Sequence, residues 1–158
     1  MMAGAGIFKA VYDEGEFQEI LDALSKASDP QLETLAWFMG EELRDISNTA
    51  FENEKDPVTG KKWEPIKPRG SGAREPGSVT TILRDRGTLR SSLTHNDSAE
   101  GTVFGSHMEY ARIHQEGGQA GRGKKSLIQA RPYLGVPKDF DRLILNDPEV
   151  LNLLGLGG

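Results

Sequence analysis

The chain has 158 residues, of which 36% are hydrophobic, with 19 glycines and no cysteine. This length fits one domain with one core, the missing cysteines exclude disulfides and thiol chemistry, and the low apolar share points to extended loops and to surface completed by neighbouring subunits. The net charge of −5 hides a segregation, with 4 basic against 13 acidic side chains in residues 1–56 and 15 against 9 in residues 57–142. Opposite-signed halves suit head-to-tail packing of identical subunits, and an acidic helix pair beside a solvated basic loop region accounts for them equally well. The first residues carry no basic segment followed by a long apolar run, so no signal peptide is expected, and no stretch approaches the ~20 apolar residues that span a membrane.

Residues 7–12 favour a short edge strand. Asp13 and Glu16 make a capping-box pattern, and Phe17, Ile20, Leu21 and Leu24 recur at helical spacing, which predicts a helix over 14–26. Asp29 is the expected N-cap of a second helix with Pro30 at its first position. Leu32, Leu35, Ala36, Met39, Leu43, Ile46 and Phe51 form its apolar stripe, to about residue 53. Pro57-Val58-Thr59-Gly60 reverses the chain, and the Trp63 ring anchors the connection to the core.

Residues 68–80 are too polar and Gly-rich to pack and read as a mobile arm. A short helix over 85–93, with Leu89 and Leu93 on one face, precedes a hairpin with a strand near 92–98, a turn at 99–101 and a return strand at 102–105. A helical turn at 110–115 leads into a second Gly-rich loop, 117–126, within a second arm spanning 115–127. Pro132 forbids a regular helix over 127–134, residues 137–146 form a last short helix, and the Leu-Gly tail frays. The expected fold is a single α+β domain over 1–158, with N-terminal amphipathic helices packed on a small, mostly antiparallel sheet and two long arms.

No catalytic, cofactor or metal site is predicted. Residues 118–126 imitate a phosphate loop, but Lys125 stands at the hydroxyl position and no helix N-terminus follows to supply the field. His95, His107 and His114 lack metal-ligand spacing, and His114 reads as a hydrogen-bonded turn residue without a partner acid or base. Nothing distinguishes Glu64, Glu116 or Asp139 from ordinary surface carboxylates. Arg69, Arg74, Arg122, Lys124 and Lys125 can reach phosphates, yet an acidic chain with no reading element argues against specific DNA recognition and leaves only non-specific contact.

Four motifs follow one another in order: Pro57-x-x-Gly60-x-x-Trp63-x-Pro65; Leu83-x-x-x-Gly87-x-Leu89-x-x-Ser92-Leu93; Tyr110-Ala111-x-Ile113-His114-Gln115-x-Gly117-Gly118; and Ala130-Arg131-Pro132-Tyr133-Leu134-Gly135. Together they resemble the phage virion-morphogenesis, or tail-completion, family of Mu-type and related contractile-tailed phages, over about residues 7–142. Two positions depart from the family pattern: Arg86 stands where a small hydroxyl residue is usual, and Gln129 where proline is common.

The resemblance implies a non-enzymatic structural virion protein of the head–tail junction, a tail-completion or neck ring that joins tail to capsid and carries no cofactor. A transient capsid or tail assembly factor, absent from the mature particle, is the alternative. The implied partners are further copies in a ring, a hexamer, together with connector or neck proteins and tail-tube or terminator proteins. Non-specific contact with DNA in the channel is also implied, and no membrane. The implied location is the virion, and the host cytoplasm during assembly. In that scheme Trp63, Leu89, Tyr110 and Tyr133 anchor core or interface, and Gly87, Gly117 and Gly118 permit tight turns. His114 belongs to the same set, and Arg131 forms a buried ion pair at a junction.

Overall fold

The computed structural model describes residues 14–65, 83 and 87–158. The edge strand expected at 7–12, Asp13 of the capping box, the arm at 68–80, and Asp85 and Arg86 lie outside the described residues. The chain divides into two compact units, one made of residues 1–42, 95–104 and 137–158 and the other of 43–94 and 105–136. The architecture is α+β, and the small sheet takes the form of two separate two-stranded hairpins.

In the first unit, helix α1 spans Glu14–Lys26 and buries Ile20, as the apolar spacing predicts. Helix α2 spans Asp29–Asn53, with residues 29–42 in this unit. Its cap sits one residue earlier than expected. Leu32 N–H donates to the Ser28 carbonyl (3.0 Å), and the Gln31 Oε1 accepts from both Ser28 N–H (2.9 Å) and Ser28 Oγ (3.0 Å). The bond from Ser28 N–H to the Gln31 side chain is one half of a capping box, and it places Asp29 inside the first turn, where its charge suits the helix dipole. The Gln31 amide also donates to the Leu153 carbonyl at 3.0 Å.

Strands β1 (Leu93–Ser98) and β2 (Gly101–Ser106) form a hairpin, antiparallel because only two residues join them. His95 on β1 is buried, with Nε2 2.7 Å from Glu41 Oε1 and Nδ1 2.8 Å from Asp97 Oδ1. Both ring nitrogens face carboxylates, and only the imidazolium donates from both. Thr102 Oγ1 donates to the same Asp97 oxygen at 2.8 Å. The ring lies against the backbone of Gly40, where any Cβ would strike it.

A further short helix precedes the tail that the sequence leads one to expect to fray. After α5 (Phe140–Leu145), Asp147 accepts from Glu149 N–H at 2.8 Å and caps α6 (Pro148–Leu153), with Pro148 at the helix start. Val150 is fully buried and Leu154 nearly so, and this apolar burial anchors a helix too short to persist alone.

The second unit begins with residues 43–53 of α2. Along the whole helix the most buried positions are Ala36, Gly40, Leu43, Ser47, Ala50 and Phe51. Leu32, Leu35, Met39 and Ile46 of the expected stripe flank that line and are half-buried. At Gly40 the missing side chain makes room for the His95 ring. Asp56 then builds the turn, accepting from Val58 N–H (2.8 Å) and Thr59 N–H (3.2 Å). Partial burial pushes its carboxyl up, but these hydrogen bonds outweigh burial and hold it below the ordinary value.

The helix expected over 85–93 shrinks to one turn, α3 (Thr88–Ser91), because Gly87 enters it in the left-handed conformation and β1 starts at Leu93. Helix α4 spans Ala111–Glu116. The stretch read as a Gly-rich loop forms a second antiparallel hairpin, β3 (Gly118–Ala120) with β4 (Ser126–Ile128), closed by a 3₁₀ turn at Arg122–Lys124. No helix follows the phosphate-loop imitation, since β4 does.

The buried His95 ring, clamped by two carboxylates, cannot yield to a new methyl group at position 40. Gly40→Ala gains about 1 kcal/mol of helix propensity against an overpacking cost of roughly 1–3 kcal/mol and the disturbance of a buried charged cluster. A lower urea midpoint is expected, and a raised one would show that the ring moves freely.

Candidate functional site

Residues 129–136 adopt neither helix nor strand, yet Arg131 and Tyr133 are buried. Buried peptide groups outside a ladder need other partners, and here side chains and a helix end provide them. Gln115, on α4, accepts at Oε1 from Tyr133 N–H (2.9 Å) and Leu134 N–H (3.0 Å) and donates from Nε2 to the Leu134 carbonyl (2.9 Å). Its carboxamide therefore does the work of an adjacent strand. Arg131 N–H donates to the carbonyl of His114 (2.8 Å), which lies in the last turn of α4 and lacks an intrahelical partner.

A reciprocal pair of bonds ties the same segment to the end of the Asp56 turn. Trp63 Nε1 donates to the Pro132 carbonyl at 2.8 Å, while Arg131 Nε and Nη2 donate to the Glu64 carbonyl at 3.1 and 3.0 Å. Among the described residues the Arg131 guanidinium pairs with no carboxylate, and its partner is a neutral main-chain oxygen. The planar fork of the guanidinium places two donors on one acceptor, which a lysine ammonium would not reproduce.

The apolar centre is Phe51, at the end of α2. Its ring meets Trp63 edge-on (centroids 5.8 Å apart) and lies tilted over Tyr133 (5.2 Å). The Tyr133 hydroxyl donates to the Ala111 carbonyl at 3.0 Å, and burial, with Tyr110 nearby, pushes its pKa up to about 12. Phe51 and Gln115 hold the site as firmly as any predicted residue. Gln115 stood inside a recognised motif and Phe51 at the end of a recognised stripe, so both carried a signal without a role.

His114 sits on α4, where a helical turn is expected, its ring edge-on to the half-exposed Tyr110 with centroids 5.9 Å apart. Its Nδ1 is buried and has no hydrogen-bond partner among the described residues. Burial, and secondarily the Arg131 charge, lower its pKa, so the ring is neutral at pH 7. Gly117, at φ +74°, ends α4, and a Cβ there would lie 2.8 Å from Ala130 N. No side chain fits that approach. Gly118 opens β3.

Gly87 and Leu89 belong to another part of this unit. Leu89 is buried on α3, and Arg90 fastens α3 to α2 through Asn48 Oδ1 (2.9 Å) and Glu52 Oε1 (2.8 Å). Of the nine predicted residues, Trp63, Tyr110, His114, Gly117, Arg131 and Tyr133 come together, Gly118 adjoins them, and the α3 pair stands apart. Among the described residues no group of three His, Cys, Asp or Glu side chains is arranged to hold a metal ion, and no helix is long and apolar enough to cross a membrane.

The segments that meet here come from three of the four sequence motifs. The family model for phage virion morphogenesis matches residues 13–149. The chain belongs to that family. It is 32% identical over 114 residues to the "Putative capsid assembly protein G" of Escherichia phage Mu, covering 68% of this chain and 71% of that protein. It is 40% identical over 67 residues to the "Mu-like prophage FluMu G protein 2" of Haemophilus influenzae, covering 42% of this chain and 49% of that one. No solved structure matches the chain. Membership places the chain in phage virion assembly, in a family that holds a protein of Mu and one of a Mu-like prophage.

The His114 shift gives this region a pH signature. The unfolded imidazole takes up a proton near its ordinary 6.5, the folded one only at lower pH. The stabilisation is therefore complete above about pH 6.5 and is lost as pH falls from there through the folded value. With His114→Gln, the urea midpoint is expected to drop less than that of the parent between about pH 7 and pH 5. An identical drop would remove His114 from the acid response.

Proposed function

We propose that this chain is a structural subunit of the phage head–tail junction, a tail-completion or neck ring of identical copies that joins tail to capsid without catalysing a reaction. The observation that supports this reading most is the use made of the motif side chains. Trp63, Gln115, Arg131 and Tyr133 all bind main-chain groups of the same chain, so the residues that carry the family resemblance hold a shape. His114 has the neutral ring a general base needs, but among the described residues no nucleophile or carboxylate hydrogen-bonds it.

A ring requires two different surfaces on each copy. The charges are divided accordingly. The first unit carries 4 basic and 15 acidic side chains, the second 15 and 9. The ring is a hexamer in this proposal, with connector or neck proteins on one side, tail-tube or terminator proteins on the other, and DNA in the channel touched only through phosphates.

The name of the Mu relative, a capsid assembly protein, favours a second reading in which the chain acts during assembly and leaves. Native mass spectrometry and negative-stain imaging of the purified protein are expected to show a closed ring with a central hole. Mass spectrometry of purified virions is expected to find the chain at ring stoichiometry. Its absence from virions would support the transient factor, and a strict monomer at high concentration would remove the ring.

A further inference from the structure

We infer that the β3–β4 hairpin of one copy docks on the exposed Asp29–Glu33–Trp37 row of helix α2 in a second copy; this rests on the ring proposed above and supplies its contact. The hairpin is a presented element. Gly118, Gln119 and Ala120 pair with Ile128, Leu127 and Ser126, which sets Gln119 and Leu127 side by side on one face, and both are exposed, Leu127 at 68%. Residues 121–127 are exposed throughout. At the tip, Arg122, Lys124 and Lys125 have no carboxylate partner among the described residues.

The tip is also held in shape. Lys124 takes a left-handed backbone (φ 54°) and its N–H donates to the Gly121 carbonyl at 3.0 Å. A lysine in that conformation is unfavourable unless its surroundings or its function require it. Three cations and one leucine on a short hairpin make an amphipathic plug.

The receptor is a row on α2. Residues 29, 33 and 37 are spaced by four and share one face. Asp29 and Glu33 are exposed and pair with no cation among the described residues, and Trp37 is 47% exposed with its ring edge-on to Phe38. An exposed tryptophan beside two carboxylates fits a plug of leucine and cations, since the indole face attracts both apolar and cationic groups and tryptophan dominates interface energetics.

The division of charge by unit places the plug on the basic unit and the row on the acidic one. That is the complementarity a heterologous contact between copies needs. A phosphate backbone has no use for Leu127, so DNA is the less suitable occupant.

The test is a charge exchange, read by native mass spectrometry with circular dichroism confirming each fold. The hairpin variant, Arg122→Glu with Lys124→Glu and Lys125→Glu, is expected to weaken self-association by more than about tenfold. The helix variant, Asp29→Lys with Glu33→Lys, is expected to do the same. Mixed together, or combined in one chain, the two sets are expected to restore assembly, because each reversed plug then meets a reversed row. Trp37→Ala, at a half-exposed position, is expected to weaken assembly while circular dichroism shows the helix content of the parent.

If the parent forms rings and the hairpin variant does so equally well, the docking inference falls and the ring stands. If the parent is monomeric at all concentrations, both fall. Loss of duplex-DNA binding in the hairpin variant, with assembly unchanged, would assign the tip to DNA and overturn the inference.

Discussion

The second unit of this protein depends on one requirement: a buried, irregular stretch of backbone has to have its hydrogen bonds made for it. Residues 130–135 pass through an apolar centre of Phe51, Trp63 and Tyr133 without joining a helix or a sheet. Each buried amide or carbonyl left without a partner would cost about 1–3 kcal/mol. Gln115 meets three of these groups with one carboxamide, Trp63 meets the Pro132 carbonyl, and the end of α4 meets the Arg131 N–H. The Glu64 carbonyl, in the segment opposite, is met by Arg131 in return.

This requirement explains why the motif residues are of these types. Gln115 has to carry both an acceptor and a donor, so neither Glu nor Leu would serve. Arg131 has to bring a fork of donors to one oxygen. Gly117 has to allow the main chain at Ala130 to approach. None of these demands involves a reacting atom. Among the described residues the motif side chains are taken up by main-chain bracing.

How much of this was legible before the structure differs from element to element. The helices at 14–26 and 29–53 could be read because apolar residues recur at helical spacing and propensity agrees. The cap of the second was misplaced by one residue because Ser28 and Asp29 are both good caps, and the deciding sign, Gln31 three positions after Ser28, was passed over. The hairpin at 93–106 was legible from its turn. The helix at Pro148–Leu153 carried a clear start in Asp147-Pro148-Glu149, which the Leu-Gly tail obscured.

The β3–β4 hairpin was not legible, since strands of three residues amid glycine and lysine have no alternation to detect. Gln115 lies within a motif, but its bonding to Tyr133 and Leu134 becomes visible only when α4 and the 130–135 segment are brought together in space. Arg131 is legible as a candidate buried charge, and nothing in a sequence tells a carbonyl partner from a carboxylate.

Amide hydrogen exchange at Arg131, Tyr133 and Leu134 tests the central claim most directly. These three N–H groups lie outside any ladder, and an unbraced irregular segment would exchange them within the dead time of the experiment. The account predicts protection as strong as that of the buried turns of α2, lost at Tyr133 and Leu134 in Gln115→Ala while Arg131, held by the His114 carbonyl, keeps more of it. Fast exchange at all three in the parent, or unchanged protection in the variant, would contradict it.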